Sequence, residues 1–208
     1  MELILASGSP RRQQMLKDLG VSFRVQTPDI NESRLRGEPA LNYVLRLAQE
    51  KAESVATKLG FMSNNQQDGW AILAADTIVV YGKLVLGKPT SKEDAVKMLR
   101  KLSGRTHEVI TGYCWLGAQA EKYKSAVTHV RTKVTFMDMP DEFWSWYVST
   151  GEPMDKAGSY AAQGIGISFI EKVSGSYSNV IGLPLPQVLK TYAKLFGTEL
   201  HGHSRKSR

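Results

Sequence analysis

The sequence predicts a mixed α/β fold, with helices flanking a sheet that is not purely parallel. In the first hundred residues, short apolar runs alternate with amphipathic helical patterns, which is typical of strands joined by helices. Further along, two long β-branched runs at 108–116 and 126–136 follow one another with only a polar link between them. Strands this close in sequence do not fit a sheet built only from helix-connected parallel strands.

The N-terminal part opens with a strand and a short helix. The apolar segment 2–6 predicts the strand. Ser9 and Pro10 are suited to the N-cap and the first position of a helix, and Gly20 is suited to end it. A second short strand is predicted at 21–25.

The longest helix follows a polar loop at 27–38. It is predicted between Pro39 and Gly60, because apolar residues recur there at helical spacing and form one buried face. That face consists of Leu41, Val44, Leu45, Ala48, Ala52, Val55 and Leu59. Lys51 lies at its flank, where the ordinary expectation is a surface lysine whose stem covers apolar area while its ammonium reaches water. A polar loop is predicted at 61–69.

The middle of the chain contains an apolar run that holds two polar residues. The run 71–81 predicts a strand interrupted at Asp76 and Thr77, and a tight turn leads into a second strand at 84–86. Ser91 is suited to cap the helix that follows.

The C-terminal part returns to helices. A short helix is predicted at 140–150, a strand at 165–173 and a turn at 174–178. The closing helix is predicted at 185–196 and ends at Gly197.

The composition is that of an ordinary globular protein. The chain has 208 residues, of which 42% are hydrophobic and 23% charged, enough for one large domain or two small lobes. No apolar run approaches the roughly 20 residues of a membrane span, and the N-terminus lacks the basic start of a signal peptide. A single cysteine, Cys114, excludes an internal disulfide framework and a thiolate-rich metal site. We therefore expect a cytoplasmic protein with no membrane partner.

The net charge does not favour a nucleic-acid partner. It is +7, but residues 201–208 carry three basic side chains and no acid, which leaves 24 basic against 20 acidic residues in the rest of the chain. We expect this short basic tail to be disordered. A tail that touches RNA or an acidic lipid surface is the alternative.

Two familiar kinds of site are poorly supported. Gly82, Gly87 and Lys88 have the spacing of a phosphate-binding P-loop, but Pro89 follows and offers neither a hydroxyl for magnesium nor an amide for phosphate. The histidines outside the tail and the cysteine lie in or near predicted strands, where packing is the simpler role.

The segment that joins the first strand to the first helix has the features of an anion site. The first amides of a helix have no partner within the helix, and the helix dipole is positive there. Ser7 and Ser9 offer hydroxyls, Gly8 permits close approach of the backbone, and Arg11 and Arg12 add permanent charge. A capped surface helix with two solvated arginines explains the same residues equally well.

Asp76 is the second unusual feature. A carboxylate within an apolar strand is costly unless it is paired, binds a metal or faces an open site. A general base or metal ligand is the interpretation that we favour, and a bulge in which the carboxylate meets backbone amides is the alternative. With Lys88 after a turn, these residues indicate phosphate ester or anhydride chemistry, which requires mainly positioning and charge neutralisation.

Five segments, in the same order, resemble the Maf family of nucleoside triphosphate pyrophosphatases. The resemblance runs from about residue 2 to 196. The segments are "LILASGSPRRQQML", "AADTIVV" with "LGKP", "MLRKLSGRTHEVITG", "GEPMDKAGSYAAQGIG" and "YSNVIGLPL".

This resemblance implies a single catalytic domain at 1–200. Its fold would be a two-lobed, elongated mixed sheet flanked by helices, similar to the inosine-triphosphate pyrophosphatase (Ham1) architecture, with the nucleotide in a cleft between the lobes. The implied reaction converts a nucleoside triphosphate to the monophosphate and pyrophosphate with a divalent cation, Mg²⁺ or Mn²⁺. A homodimer and a role in cleansing the nucleotide pool are implied as well.

The resemblance also implies roles for single residues. Asp76 matches the family's proton acceptor, and Glu32 matches an acidic position that would hold the metal with Asp76 beside it. Ser7 and Arg11 match the family's phosphate-binding loop, and Lys51 and Lys88 match basic positions that line its cleft.

Base choice is implied by three matched positions, Arg11, Thr77 and Gln163. Thr77 and Gln163 match the branch that resembles dTTP/UTP pyrophosphatases, since the sister branch acting on 7-methyl-GTP has glutamine and glutamate there. The alternatives are a pyrophosphatase with another base preference, such as 7-methyl-GTP, and a catalytically silent nucleotide-binding regulator of cell division.

Overall fold

The computed structural model describes residues 1–61 and 69–200. Most of the predicted loop at 61–69 and the whole tail at 201–208 therefore lie outside the described residues. The strands are β1 (Glu2–Ala6), β2 (Arg24–Val25), β3 (Trp70–Tyr81), β4 (Leu84–Leu86), β5 (Thr106–Gln119), β6 (Lys122–Phe136) and β7 (Ile170–Ser174). The α-helices are α1 (Pro10–Asp18), α2 (Ala40–Lys58), α3 (Lys92–Leu102), α4 (Asp141–Ser149), α5 (Tyr177–Ile181) and α6 (Leu185–Phe196).

One mixed sheet contains all seven strands. Its order is β2-β1-β3-β5-β6-β7, and β4 pairs with β3 outside this path. Strand β1 is parallel to β2 and to β3, whereas the β3–β4 and β6–β7 pairs are antiparallel. The predicted mixed α/β class is confirmed.

Local signals in the sequence located most helices correctly. The Ser9 side chain accepts a hydrogen bond from the Arg12 amide at the start of α1, and the Ser91 side chain accepts one from the Asp94 amide at the start of α3. Helix α6 has the predicted bounds, and Gly197 follows it in the left-handed conformation, with φ of 68°.

Three elements differ from the prediction. Strand β3 runs without interruption through Asp76, because a buried partner compensates the charge of that residue. The predicted strand at 165–173 begins as a 3₁₀ helix, Gly164–Phe169, and becomes extended only at Ile170. The predicted turn at 174–178 leads directly into helix α5.

Among the residues that the structure describes, none of the helices combines the length and the apolar character that a bilayer crossing requires.

The chain divides into two compact units, and three strands contribute to both. Unit 1 comprises Met1–Asp76, Gly112–His129 and Gly182–Arg208, and unit 2 comprises Thr77–Thr111 and Val130–Ile181. The predicted single domain at 1–200, with a cleft between lobes, stays a prediction.

Unit 1 packs helix α2 tightly against the sheet. Ala48, Ala52 and Val55 of this helix share a buried cluster with Trp70 of β3. At Gly112 the strand lies so close to α2 that a Cβ atom there would be 2.5 Å from the Val44 carbonyl oxygen, so only glycine fits. Helix α2 is therefore held at a fixed depth on the sheet.

Cys114 lies in the same cluster of unit 1 and is 1% exposed. Burial raises the pKa of its thiol to about 12, so the thiol stays protonated at neutral pH. The packing role expected for this cysteine is confirmed.

The core of unit 2 is largely aromatic. Phe136 makes edge contacts with His107, Tyr160 and Phe169 and stacks on Trp144. His107 is 2% exposed, and its Nε2 atom lies 2.9 Å from the Tyr160 hydroxyl, while the described residues provide no hydrogen-bond partner for its Nδ1 atom. The predicted packing role of His107 is confirmed.

Burial of His107 predicts that acid destabilises the fold. Burial lowers the pKa of His107 to about 4 from its usual 6.5, so between these values the unfolded chain binds a proton that the native state does not. The free energy of unfolding should therefore fall as the pH drops from 6.5 to 4, by about 3 kcal/mol from this group. Urea unfolding at several pH values measures it.

The matched comparison is the His107→Gln variant, in which the titrating group is absent and the carboxylates are unchanged. Its free energy of unfolding should depend less steeply on pH between 4 and 6.5 than that of the unmodified protein. Equal slopes for the two proteins would exclude His107 as the cause.

Candidate active site

Two carboxylates meet at one buried ammonium group. The Lys51 Nζ atom lies 2.8 Å from Asp76 Oδ1 and 3.1 Å from Glu32 Oε1. Only 7% of the Lys51 side chain and 12% of the Asp76 side chain are exposed, compared with 58% of the Glu32 side chain. Removing one member of such a buried pair would leave an uncompensated charge, so each holds the other in place. We call Glu32, Lys51 and Asp76 the charged trio.

Helix α2 positions Lys51 on its buried face. Lys51 lies one helical turn after Leu47 and one turn before Val55, both of which are buried. The expectation of a surface lysine is therefore wrong. The sequence indicated the burial of Lys51, because a lysine four residues after Leu47 and four before Val55 lies on the apolar face of the helix rather than at its flank.

Strand β3 carries Asp76 to the sheet end at which β1 finishes. The two strands are parallel, with Ala6 opposite Ala74, so Ser7 and Asp76 both lie just beyond the paired segment. Ligand sites typically form at the carboxyl ends of parallel strands. The alternative of a bulge with backbone amides is wrong, because Asp76 lies within a regular strand and pairs with a lysine side chain.

Glu32 reaches the trio from a loop that α2 holds at three points. The Tyr43 hydroxyl donates to the Glu32 carbonyl oxygen at 2.7 Å, and the Ser54 hydroxyl donates to the Asp29 carbonyl oxygen at 3.2 Å. Arg46 donates to the Ser33 carbonyl oxygen at 3.1 Å. The loop has no regular structure, but these bonds fix its backbone on either side of Glu32.

Arg46 also connects the end of the same loop to α2. Its Nε atom lies 2.7 Å from Glu38 Oε1, and this hydrogen bond is the main reason why the pKa of Glu38 is lowered. Glu38 thus stays ionised and keeps the loop closed onto the helix at neutral pH.

The turn between β1 and α1 is held by Arg12. The Arg12 Nη1 atom donates to Ser7 Oγ at 3.3 Å and to the Ala75 carbonyl oxygen at 2.8 Å, and Nε donates to the Gly182 carbonyl oxygen at 2.8 Å. Burial lowers the pKa of Arg12, and the nearby Asp76 carboxylate opposes that effect. The description of Arg12 as a solvated surface residue is wrong. Neither composition nor spacing indicated this role.

Ser7 is buried and has two donors directed at its hydroxyl oxygen. The Ser9 amide at 3.2 Å and Arg12 Nη1 at 3.3 Å both donate to it, so the hydroxyl hydrogen of Ser7 is the part that can be given to a ligand. Arg11 occupies the first turn of α1, half-buried, where the amides at the helix start attract an anion.

Residues 2–195 match the family described as Maf-like protein. The chain belongs to this family.

The Maf relatives are similar over most of their length. A protein named dTTP/UTP pyrophosphatase from Anaeromyxobacter dehalogenans (strain 2CP-C) is 48% identical over 185 residues, which is 89% of each chain. Proteins of the same name from Hahella chejuensis and Desulforamulus reducens are 43% and 42% identical over 198 residues, or 95% of this chain and 94% and 98% of theirs. Among solved structures, the Staphylococcus aureus Ham1 protein covers 99% of this chain and 88% of its own at 12% identity, with a TM-score of 0.39.

The remaining predicted Maf site residues belong to unit 2. Thr77 directly follows Asp76 in β3 and is half-buried, and Lys88 is exposed in the loop after β4. Gln163 is exposed and immediately precedes the 3₁₀ helix Gly164–Phe169. Unit 1 therefore contains Ser7, Arg11 and the charged trio, while the placement of Thr77, Lys88 and Gln163 relative to that group stays a prediction.

Glu152 supports the Gln163 segment and was not anticipated. Its two carboxylate oxygens accept hydrogen bonds from the Ile165 and Gly166 amides, both at 2.9 Å, and its Oε1 atom also accepts one from the Tyr147 hydroxyl at 2.9 Å. A carboxylate at a helix start satisfies amides that have no partner within the helix. The sequence shows only a glutamate 11 residues before Gln163, with no pattern that links them.

The oxygen donors of this Maf chain fit a hard divalent cation. Within residues 1–61 and 69–200, no group of three or more His, Cys, Asp or Glu side chains is arranged to hold a metal ion. The charged trio, however, provides two carboxylates that share one ammonium partner. Mg²⁺ is commonly held by one or two carboxylates, with phosphate oxygens and water completing its coordination. Two carboxylates are therefore sufficient when the substrate is a polyphosphate.

Proposed function

We propose that this protein hydrolyses dTTP and UTP to the monophosphate and pyrophosphate. The observation that carries the proposal is the charged trio, in which Lys51 and Asp76 are buried, in the same unit as Ser7 and Arg11 at the start of α1. Carboxylates, positively charged side chains and a hydroxyl donor are groups that anhydride hydrolysis requires from a protein. The relatives named dTTP/UTP pyrophosphatase, at 42–48% identity over most of the chain, support the choice of substrate.

Asp76 is the residue that acts on water. Its carboxylate would accept a hydrogen bond from a water molecule and take its proton as the oxygen attacks the α-phosphorus, while the bond to the β-phosphate oxygen breaks. Lys51 holds the carboxylate at 2.8 Å and prevents it from turning away. The products are the nucleoside monophosphate and pyrophosphate.

The triphosphate would be held at the start of α1. The Ser7 hydroxyl and the Arg11 guanidinium offer hydrogen-bond donors there, and the positive end of the helix dipole adds to the attraction for an anion. Lys51 and Lys88 would neutralise the charge that develops on pyrophosphate as it leaves.

Glu32 and Asp76 would hold the divalent cation, Mg²⁺ or Mn²⁺. When bound, the cation would neutralise phosphate charge and lower the pKa of nearby water. Glu32 is more exposed than Asp76. Turning its carboxylate from Lys51 towards a ligand therefore costs less free energy than turning that of Asp76.

Thr77 and Gln163 would read the base. A side-chain amide both donates and accepts, so Gln163 can pair with the edge of uracil or thymine, whereas a glutamate would favour the donor-bearing edge of guanine. Gln163→Glu should therefore lower kcat/KM for dTTP and UTP relative to GTP by about tenfold. A substrate ranking identical to that of the unmodified protein would exclude Gln163 from base selection.

The decisive experiment is a steady-state panel of nucleotides with Mg²⁺ or Mn²⁺. Release of pyrophosphate is measured from dTTP, UTP, CTP, GTP, ATP and 7-methyl-GTP. Fastest turnover of dTTP and UTP is expected. Fastest turnover of 7-methyl-GTP would contradict the proposed choice of substrate. Nucleotide binding without pyrophosphate release would contradict the proposed activity and favour a catalytically silent regulator.

We also propose that the protein is a cytoplasmic homodimer that cleanses the nucleotide pool, on the strength of the family resemblance. Sedimentation velocity should give one species of about twice the chain mass of 23.1 kDa. A single species at the chain mass would exclude the dimer.

A further inference from the structure

One carboxylate in unit 2 holds the backbone that follows Gln163. The Ile165 amide donates to Glu152 Oε2 and the Gly166 amide donates to Oε1, both at 2.9 Å. Glu152 lies directly against this turn, because a Cβ atom on Gly164 would be 2.5 Å from its Oε2 atom. The turn that follows Gln163 therefore depends on both oxygens of Glu152.

Tyr147 connects this carboxylate to the backbone that precedes Gln163. Its hydroxyl donates to Glu152 Oε1 at 2.9 Å and accepts from the Ala161 amide at 3.2 Å. Tyr147 is fully buried in helix α4, and burial raises the pKa of its hydroxyl, so the hydrogen that it donates is present at neutral pH. The backbone on both sides of Gln163 is thus bonded to one pair of side chains, Tyr147 and Glu152.

Gln163 is exposed, whereas Ala161, Ala162 and Gly166 around it are buried. The Tyr177 hydroxyl adds a further bond, to the Ala162 carbonyl oxygen. Because the Gln163 side chain is exposed, its direction depends on the backbone that carries it. A side-chain amide must present its donor and its acceptor to the matching groups of a base, and hydrogen bonds weaken steeply when they are misaligned. A small movement of this turn would therefore reduce discrimination between bases.

We propose that Glu152, supported by Tyr147, is a positioning residue that aligns the Gln163 side chain with the edge of uracil or thymine. The inference rests on the proposed function, because it assumes that Gln163 reads the base. Glu152 would act through the backbone of the turn and not by contact with the nucleotide. Loss of its carboxylate should therefore change the choice of base.

Glu152→Gln tests the bonds themselves without a nucleotide. The variant keeps the shape of the side chain and replaces one oxygen by an NH₂ group. Whichever way the new amide turns, its NH₂ group faces the Ile165 amide or the Gly166 amide, and two donors then meet. Hydrogen exchange of these two backbone amides, followed by NMR, should be at least about tenfold faster in the variant. Unchanged exchange in the folded variant would overturn the proposal.

The kinetic test measures the ratio of kcat/KM for UTP to that for GTP. It compares the unmodified protein, Glu152→Gln, Gln163→Ala and the double variant. Each single change should lower the ratio by about tenfold. The double variant should have the ratio of Gln163→Ala alone, because no side-chain amide then remains to be aligned. Falls that multiply in the double variant, or equal losses with both nucleotides in Glu152→Gln, would overturn the proposal.

A matched control removes a different hydrogen-bonded carboxylate of unit 2. Asp138 is exposed, and its Oδ1 atom accepts from the Ser103 hydroxyl at 3.1 Å. Asp138→Asn should keep the UTP to GTP ratio of the unmodified protein. A fall equal to that of Glu152→Gln would attribute the effect to general loosening and overturn the proposal.

Tyr147→Phe provides a second variant that does not depend on the folding of Glu152→Gln. It keeps the buried ring and removes the hydroxyl between Glu152 and Ala161, so the ratio should fall by about threefold. An unchanged ratio in folded Tyr147→Phe and Glu152→Gln, with a lowered ratio in Gln163→Ala, would overturn the inference and leave the proposed function intact. Failure of the unmodified protein to hydrolyse UTP or dTTP would instead refute the proposed function.

Discussion

Asp76→Asn is expected to lower kcat for dTTP by about 10²–10⁴-fold, which is the usual size of a general-base contribution. The substitution keeps the volume of the side chain and removes its charge. Lys51 retains Glu32 as an ionic partner at 3.1 Å, so the variant should still fold. Pyrophosphate release under saturating dTTP and Mg²⁺ measures the effect, and thermal unfolding checks the fold.

Asp141→Asn provides the matched control. Asp141 is an exposed aspartate in unit 2 whose carboxylate lies 2.7 Å from Arg100, so the change removes one carboxylate from an ion pair for which no catalytic role is predicted. Its turnover should equal that of the unmodified protein, because exposed ion pairs contribute little. A folded Asp76→Asn protein with near-normal turnover would exclude Asp76 as the base.

Lys51→Met should impair both stability and turnover. The variant leaves Asp76 buried without its partner and Glu32 close to it, and breaking a buried pair in this way costs about 3 kcal/mol of the free energy of unfolding. Turnover of dTTP should fall by about 100-fold, because the carboxylate is no longer held and one positive charge for the phosphates is lost. Urea unfolding and steady-state kinetics measure the two effects.

The double variant Lys51→Met/Asp76→Asn tests whether Lys51 stabilises the fold through its ion pair with Asp76 or only through burial of its side chain. It should recover much of the stability lost by Lys51→Met while staying inactive, since no buried charge then lacks a partner. Lys58→Met, at an exposed position in the last turn of the same helix, should change neither quantity. Additive losses of stability in the double variant would mean that Lys51 and Asp76 do not interact.

Much of the fold could be predicted because its signals are local. The Ser9 cap, the glycine that ends α6 and the antiparallel pairing of β3 with β4 depend on residues close together in the chain. Asp76 could be singled out as well, because a charge inside an apolar strand is visible without any contact. The break expected there was wrong, since the compensating Lys51 lies 25 residues away in sequence.

The site residues that were misjudged depend on long-range contacts. Arg12 was considered either as part of an anion site or as a solvated arginine, yet it bonds to carbonyl oxygens 63 and 170 residues further along the chain. Glu32 was indicated only by family resemblance, because its loop has no periodic pattern and is positioned by bonds to α2. Glu152 was missed for the same reason.

The order of residues by itself determined the mixed α/β class and most helix ends, because periodicity and capping act between near neighbours. Only the tertiary structure decided that Lys51 is buried against two carboxylates and that Arg12 connects the Ser7 turn to β3. The physical reason is that burial changes the cost of a charge or an unpaired hydrogen bond, and burial is a property of the packed chain rather than of any segment.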